Sequence, residues 1–213
     1  MAGFFFLFII ITNIVSNFLG YKTFGVINSE VQLQKINTSP TKFKVSFVLI
    51  LIEHLSIIFL AISMFIAFSP YNIILGVIWI VSRIGEALIQ IYNKISYWGL
   101  YDIAKKYSDT SQTEKDMLTN LGYLILKAKE LKFVYAQFLF SIGTFAYSIL
   151  FVIYGIVPPI IGWFGIIATI LYGFGNINFF IKPNFKILGN IGGFMILFFE
   201  LILGGWLLFF SHL

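Results

Sequence analysis

Long apolar segments, separated by shorter polar connections, dominate this chain. They predict six helices of about 18 to 26 residues, each long enough to cross the ~30 Å hydrocarbon layer of a bilayer. The predicted spans cover approximately residues 3–20, 45–69, 73–98, 133–154, 160–181 and 187–210. We therefore expect an all-α integral membrane bundle of six transmembrane helices that forms one domain over residues 1–213.

The polar connections carry their own signals. Residues 21–44 are interpreted as a polar loop, and residues 101–132 form the longest connection. Within the longer one, Ser111 and Glu114 have the spacing of a capping box, and apolar positions then recur at helical spacing opposite several Lys. This pattern predicts an amphipathic helix between helices three and four, which either lies on the membrane surface or begins an extended helix four. All five Pro fall at predicted boundaries.

Composition excludes several classes of protein. Charged residues make up 11% of the chain, whereas a soluble domain has about 25%, so the expected partner of its surface is the lipid bilayer. The chain has no Cys and two His, too few for thiolate or three-His metal sites, and we expect neither metal nor cofactor. Nucleic-acid binding is not expected, because no basic patch is interleaved with aromatic residues outside the predicted spans.

Basic residues predict the orientation. Twelve of the Lys lie in the connections after helices one, three and five, and the opposite connections have none. They are Lys22, Lys35, Lys42, Lys44, Lys105, Lys106, Lys115, Lys127, Lys129, Lys132, Lys182 and Lys186. By the positive-inside rule, we expect a multi-pass cell-membrane protein with the Lys-rich loops in the cytoplasm and both termini outside.

Polar and small residues follow a regular seam along helix three. Its members are Asn72, Gly76, Trp79, Arg83, Glu86, Gln90, Asn93 and Tyr97. The spacing alternates between four and three residues, which is typical of one packed helix face. The other helices carry weaker polar stripes, and stripes that face one another predict a bundle with a polar interior.

Several charged residues lie inside the predicted spans. Arg83 is the only Arg, and Glu86 follows it by three residues on the same helix face. A guanidinium in hydrocarbon is costly unless it is paired. Glu200 is expected at a similar depth and Glu53 about 12 Å from the cytoplasmic end of helix two. Lys94 is expected to snorkel toward the interface.

One guanidinium against three carboxylates leaves surplus acid, as a proton relay or a cation site requires. The candidate residues for binding a solute or ion are Arg83, Glu86, Glu200, Glu53, Gln90 and Asn93. The leading hypothesis is small-solute or ion transport with this polar core. Two alternatives stay open: a structural or sensory membrane subunit whose ion pair only specifies helix packing, and a Glu53 that simply faces cytoplasmic water.

Enzyme templates find little support. All three Asp lie in the long central connection, so an intramembrane aspartyl pair is not formed. The chain has neither a G-x-S-x-G elbow nor an H-E-x-x-H motif. Catalysis is therefore the least favoured of the hypotheses.

Three short motifs resemble a known family. They are Arg83-x-x-Glu86, the segment with Gly155 and Pro159-x-x-Gly162, and Glu200 ahead of Trp206-Leu207-Leu208. With them the chain resembles the prokaryotic membrane proteins called domain of unknown function 4386. The resemblance implies a six-helix integral membrane protein and no particular activity.

Overall fold

A computed structural model describes residues 1–20, 28–108, 110–181 and 187–210, apart from the side chains of residues 180 and 181. The predictions that concern Lys22, Lys182, Pro183 and Lys186 lie outside these residues. Throughout the described part, the regular secondary structure is α-helical and no strand is present. The prediction of an all-α protein is therefore confirmed.

Seven helices are present in the described residues. They are α1 (Ala2–Phe18), α2 (Ser29–Thr38), α3 (Pro40–Phe68), α4 (Ile73–Tyr107), α5 (Gln112–Tyr154), α6 (Pro159–Ile181) and α7 (Ile187–Phe209). Five of them, α3 to α7, are long and apolar enough to cross a membrane, with the candidate span of α6 ending at Phe179. The chain is therefore a multi-pass membrane protein that requires a lipid bilayer.

The interpretation of residues 21–44 as a loop is wrong where the structure describes them, because α2 and the start of α3 occupy most of that stretch. The Asn28 side chain accepts hydrogen bonds from the backbone N–H groups of Glu30 and Val31, which caps α2. Pro40 begins α3, a position where its missing N–H costs nothing. The polar composition of this stretch predicts a loop, whereas the structure has a short helix with one buried face.

Two of the predicted helices are also longer in the structure. Helix α4 continues to Tyr107, and α5 already begins at Gln112. The Glu114 carboxylate accepts a hydrogen bond of 3.3 Å from the Ser111 backbone N–H, as the predicted capping box requires. Of the two alternatives for the amphipathic segment, the extended helix is therefore correct. Gly155, at a φ of +60°, and the Pro pair that follows it separate α5 from α6.

The fold consists of two compact units. Unit 1 comprises residues 1–10, 54–88 and 134–213, and unit 2 comprises residues 11–53 and 89–133. Most of unit 1 is apolar, and aromatic side chains dominate its main core. In that core Tyr147 stacks with Phe199 and packs edge-on against Trp79.

Small residues let helices of unit 1 approach closely. Gly3 of α1 lies directly against Gly204 and Leu208 of α7, so that a side chain at residue 3 would collide with the backbone of α7. Gly192 of α7 lies equally close to the Tyr172 backbone of α6. In membranes such close packing replaces the hydrophobic effect as the main source of helix association.

Unit 2 packs around a second aromatic core. Its buried residues include Leu33 of α2, Phe43 of α3, and Tyr97 and Tyr101 of α4. The Phe43 and Tyr101 rings stack at 6.0 Å between centroids. Most of the Lys of the chain belong to this unit by sequence.

Candidate functional site

The predicted seam of α4 lies on a buried face of the helix. Seven of its eight positions, from Gly76 to Tyr97, are buried, and Asn72 at the start is half-buried. The alternating spacing keeps these side chains in line along a packed helix. The seam thus carries its charged members into the interior of the protein. Its first part, to Glu86, belongs to unit 1, and Gln90, Asn93 and Tyr97 belong to unit 2.

Arg83 and Glu86 form an ion pair within one turn of α4. Arg83 Nη1 lies 2.7 Å from Glu86 Oε2, and the two side chains are 2% and 5% exposed. The contact angle is outside hydrogen-bond geometry, so neither atom has a hydrogen-bond partner among the described residues. The attraction is therefore Coulombic, without the directional bond that strengthens most buried pairs.

Aromatic rings flank the Arg83 guanidinium. Its central carbon lies 5.2 Å from the centre of the Trp79 ring and 4.6 Å from that of Phe140 on α5. The Trp79 indole N–H donates a bond of 3.1 Å to the Ala61 carbonyl of α3, which fixes the ring. Cation–π contacts of this kind stabilise a desolvated guanidinium and leave its edge N–H groups available.

Several polar atoms around Arg83 have no hydrogen-bond partner among the described residues. They include Arg83 Nε and the hydroxyl groups of Thr144 and Tyr147 on α5, which interact with each other without reaching hydrogen-bond geometry. Buried polar groups are almost always paired, because an unpaired one costs about 1–3 kcal/mol. Such atoms mark the place in unit 1 where another polar group would be bound most favourably.

Glu200 on α7 supplies the second carboxylate of unit 1. It is half-buried, and its carboxylate interacts electrostatically with Arg83. Among the described residues of unit 1, the Asp, Glu, Lys and Arg side chains are limited to Arg83, Glu86 and Glu200, which we call the arginine cluster. One cation therefore faces two acids.

Tyr172 of α6 borders the arginine cluster. Its hydroxyl group donates a hydrogen bond of 2.9 Å to Gln137 Oε1 of α5. The same side chain is near enough to Glu86 and Glu200 to interact with both carboxylates electrostatically. Helices α4, α5, α6 and α7 thus all contribute polar side chains to this region of unit 1.

Glu53 on α3 belongs to unit 2. It is 5% exposed, so the alternative in which it faces cytoplasmic water is wrong. The Asn13 amide of α1 donates to both of its carboxylate oxygens, at 3.0 and 3.2 Å. Asn17 in turn donates to Asn13 Oδ1 at 3.1 Å, which orients that amide.

Lys94 and Lys129 are both buried in unit 2, at 1% and 5% exposure. The expectation that Lys94 snorkels is therefore wrong: its ammonium group donates a bond of 3.3 Å to Gln90 Oε1 and is attracted by Glu53. The Lys129 ammonium lies 4.9 Å from the centre of the Tyr97 ring, is repelled by Lys94 and is attracted by Glu130. We call Glu53, Gln90, Asn93, Lys94 and Lys129 the lysine cluster.

Asn93 joins α4 to α5 within unit 2. Its side-chain amide donates a bond of 3.0 Å to the Lys129 carbonyl, whereas its Oδ1 atom has no hydrogen-bond partner among the described residues. The six candidates from the sequence are thus divided between the two units: Arg83, Glu86 and Glu200 in one, and Glu53, Gln90 and Asn93 in the other.

Sequence reasoning missed Lys129 and Tyr147. The sequence places Lys129 in a cytoplasmic connection, because six Lys lie in the connection after predicted helix three. A signal was present, since Lys129, Phe133, Ala136 and Phe140 follow the same alternating spacing of four and three residues, and all four are buried. Across the described residues, no group of three or more His, Cys, Asp or Glu could hold a metal ion.

Comparison with known proteins gives one match. The family model described as Domain of unknown function (DUF4386) matches residues 1–210. No curated protein and no solved structure matches the chain.

Proposed function

Because the chain belongs to the DUF4386 family, whose description names no activity, we propose its function from the arginine cluster: the protein transports a small solute or an ion through the membrane. The observation that carries the proposal is the charge of unit 1, where one guanidinium faces two carboxylates and buried polar atoms lack partners. Ionisable residues within membrane spans commonly mark substrate or proton pathways.

The proposal includes the topology expected from the sequence. Helix α1, of 17 residues, is about 25 Å long at 1.5 Å per residue and serves as the sixth span, with local thinning of the bilayer around it. Lys42 and Lys44 at the start of α3, and Lys105 and Lys106 at the end of α4, support a cytoplasmic position for those two helix ends and an external position for both termini.

In this mechanism Arg83 holds one carboxylate as its counter-ion or, when a solute is bound, an anionic group of that solute. The other carboxylate, from Glu86 or Glu200, then has no cation opposite it. It either keeps a proton or binds a cation, because an unpaired charge in a low-dielectric interior is costly. Exchange of that proton or cation is the step that couples the cluster to transport.

A structural role is the second candidate, and a specific observation favours it. Gly143 of α5 packs against Arg83 so closely that an added Cβ atom would lie 3.3 Å from Arg83 Cγ and 3.2 Å from Ser82 Cβ. Together with the two flanking rings, this packing is what a pair that only fixes helix register would need. We propose the structural role for Glu53, Gln90 and Asn93, because their side chains form hydrogen bonds with other residues of unit 2.

Proteoliposomes with a trapped pH-sensitive dye test the proposal. We would add a panel of sodium, potassium, amino acids and small carboxylates outside and record changes of internal pH. The expected result is a solute-dependent pH change that both Glu86→Gln and Glu200→Gln abolish. Asp102→Asn, which alters an exposed carboxylate of unit 2, serves as the matched control and retains the signal.

The double variant Arg83→Met with Glu86→Leu separates the two candidate functions. A transporter would lose its solute-dependent signal in this variant, even though the protein folds. If the double variant folds and moves the solute at the wild-type rate, the ion pair has only a packing role. Thermal unfolding in detergent, measured on the same preparations, establishes that each variant is folded.

A further inference from the structure

A groove of about 450 Å³ opens in unit 2 between the end of α1, helix α2 and the start of α3. Its apolar lining includes Phe18, Val31, Ile36 and Phe43. Ile36 and Phe43 are buried and form the floor, whereas Phe18 is 87% exposed at the end of α1. Exposure of this apolar surface to water is unfavourable, so an apolar group that covers it would be bound favourably.

Two lysine side chains also line this groove. Lys35, in the last turn of α2, and Lys42, in the first turn of α3, both line it and both have exposed side chains. Among the described residues, neither ammonium group has a carboxylate partner within ion-pair distance. Thr38 and Ser39, which lie between these two lysines in the sequence, also line the groove.

The position of the groove along the chain fits the membrane interface. It begins where the apolar helix α1 ends and finishes where the apolar helix α3 begins. The intervening helix α2 is polar and buries only Ser29, Gln32, Leu33 and Ile36. Basic residues immediately beside a span attract anionic lipids, by about 1 kcal/mol for each Lys or Arg.

We propose that this groove is a binding site for an anionic phospholipid. The headgroup phosphate lies between the ammonium groups of Lys35 and Lys42, and the start of an acyl chain covers the apolar floor at Phe43 and Ile36. Both parts are needed, because a free phosphate would leave the floor exposed and a neutral lipid would leave the two cations without a counter-ion. The occupant is therefore a lipid and not a soluble phosphate ester.

Binding of short-chain lipids to the purified protein in detergent tests this site. The probes are a soluble phosphatidylglycerol, a phosphatidylcholine with the same acyl chains, and glycerol phosphate without chains. We expect saturable binding of phosphatidylglycerol alone. The variant Lys35→Gln with Lys42→Gln should weaken it by about 30-fold, from the loss of two cations beside one headgroup.

Two further variants identify the source of any effect. Lys106→Gln with Lys127→Gln removes two exposed lysines of unit 2 that do not line the groove, and should change binding less than threefold. Val31→Asn alters the apolar wall and should weaken phosphatidylglycerol binding without changing the charge. Equal losses in the two lysine pairs, tight binding of glycerol phosphate, or equal binding of phosphatidylcholine would each overturn the proposal.

Discussion

The two units bury charge in different ways. In unit 2, Lys94 is attracted by Glu53 and Lys129 by Glu130, so each buried ammonium has a carboxylate nearby, although the two ammonium groups also repel each other. The Glu53 carboxylate also accepts two hydrogen bonds from Asn13. In unit 1, the arginine cluster opposes one cation to two carboxylates, and its closest pair is not a hydrogen bond.

This difference distinguishes polar residues that stabilise the fold from polar residues that could bind a ligand. A network in which each charge has an opposite charge nearby and most polar atoms are hydrogen-bonded rigidifies a protein and leaves less for a ligand to gain. In a cluster with more carboxylates than cations and with unpaired hydrogen-bond donors, each unpaired group destabilises the folded protein. A proton, an ion or a polar solute that binds there reduces this destabilisation. The arginine cluster therefore remains the better candidate for transport, even though the lysine cluster contains more polar atoms.

The largest expected effect comes from Arg83→Met. This variant leaves Glu86 and Glu200 without a cation in unit 1, so the free energy of unfolding should fall by about 3–5 kcal/mol. Denaturant or thermal unfolding in detergent measures the change. Adding Glu86→Leu should recover part of the stability, because only the half-buried Glu200 then remains in the cluster without a cation. A single variant as stable as wild type would show that unit 1 does not depend on this pair.

A smaller loss is expected for Asn13→Leu in unit 2. The substitution removes both hydrogen bonds to Glu53, and bonds to charged groups contribute about 1.5–3 kcal/mol. Lys94 continues to attract the carboxylate, which limits the cost. The matched double variant with Glu53→Gln should lose less than the sum of the two single variants. Strict additivity would contradict the coupling inferred for unit 2.

The smallest effects distinguish packed from open glycines in unit 1. At Gly205 nothing lies within 4 Å of an added Cβ atom, so Gly205→Ala should stabilise the helix by up to ~1 kcal/mol. At Gly143 the same gain is offset by contact with Ser82 and Arg83, and Gly143→Ala should be destabilising by about 1 kcal/mol. Thermal unfolding checks both, and a stabilising Gly143→Ala would show that the arginine cluster is loosely packed.

Much of the fold was predictable, because apolar length and helical spacing depend on local sequence. The helical class, the Pro boundaries at residues 158 and 159 and the buried seam of α4 all followed from such patterns. Helix α2 was missed, since its composition is polar and its burial depends on contacts with Phe43 and the rest of the unit 2 core. Tertiary contacts of this kind leave no local signal.

The site was predictable only in part. Arg83 and Glu86 are three residues apart on one helix, so sequence alone places them together. Glu53 has the same residue type and a similar apolar setting as Glu200, and sequence gave no means to assign them to different units. Asn13, which donates two hydrogen bonds to Glu53, is distant from it along the chain, and only the fold brings those two side chains together.

Infrared difference spectroscopy tests the central claim most directly, because a protonated carboxyl group has its own stretching band. The experiment compares wild type with three variants, Glu86→Gln, Glu200→Gln and Glu53→Gln, at neutral pH in a buffer whose only cation is bulky and organic. We predict a protonated-carboxyl band in wild type that disappears in Glu86→Gln and in Glu200→Gln, since the remaining acid then pairs with Arg83, and that persists in Glu53→Gln. A wild-type spectrum without this band, or a band lost only in Glu53→Gln, would contradict the account.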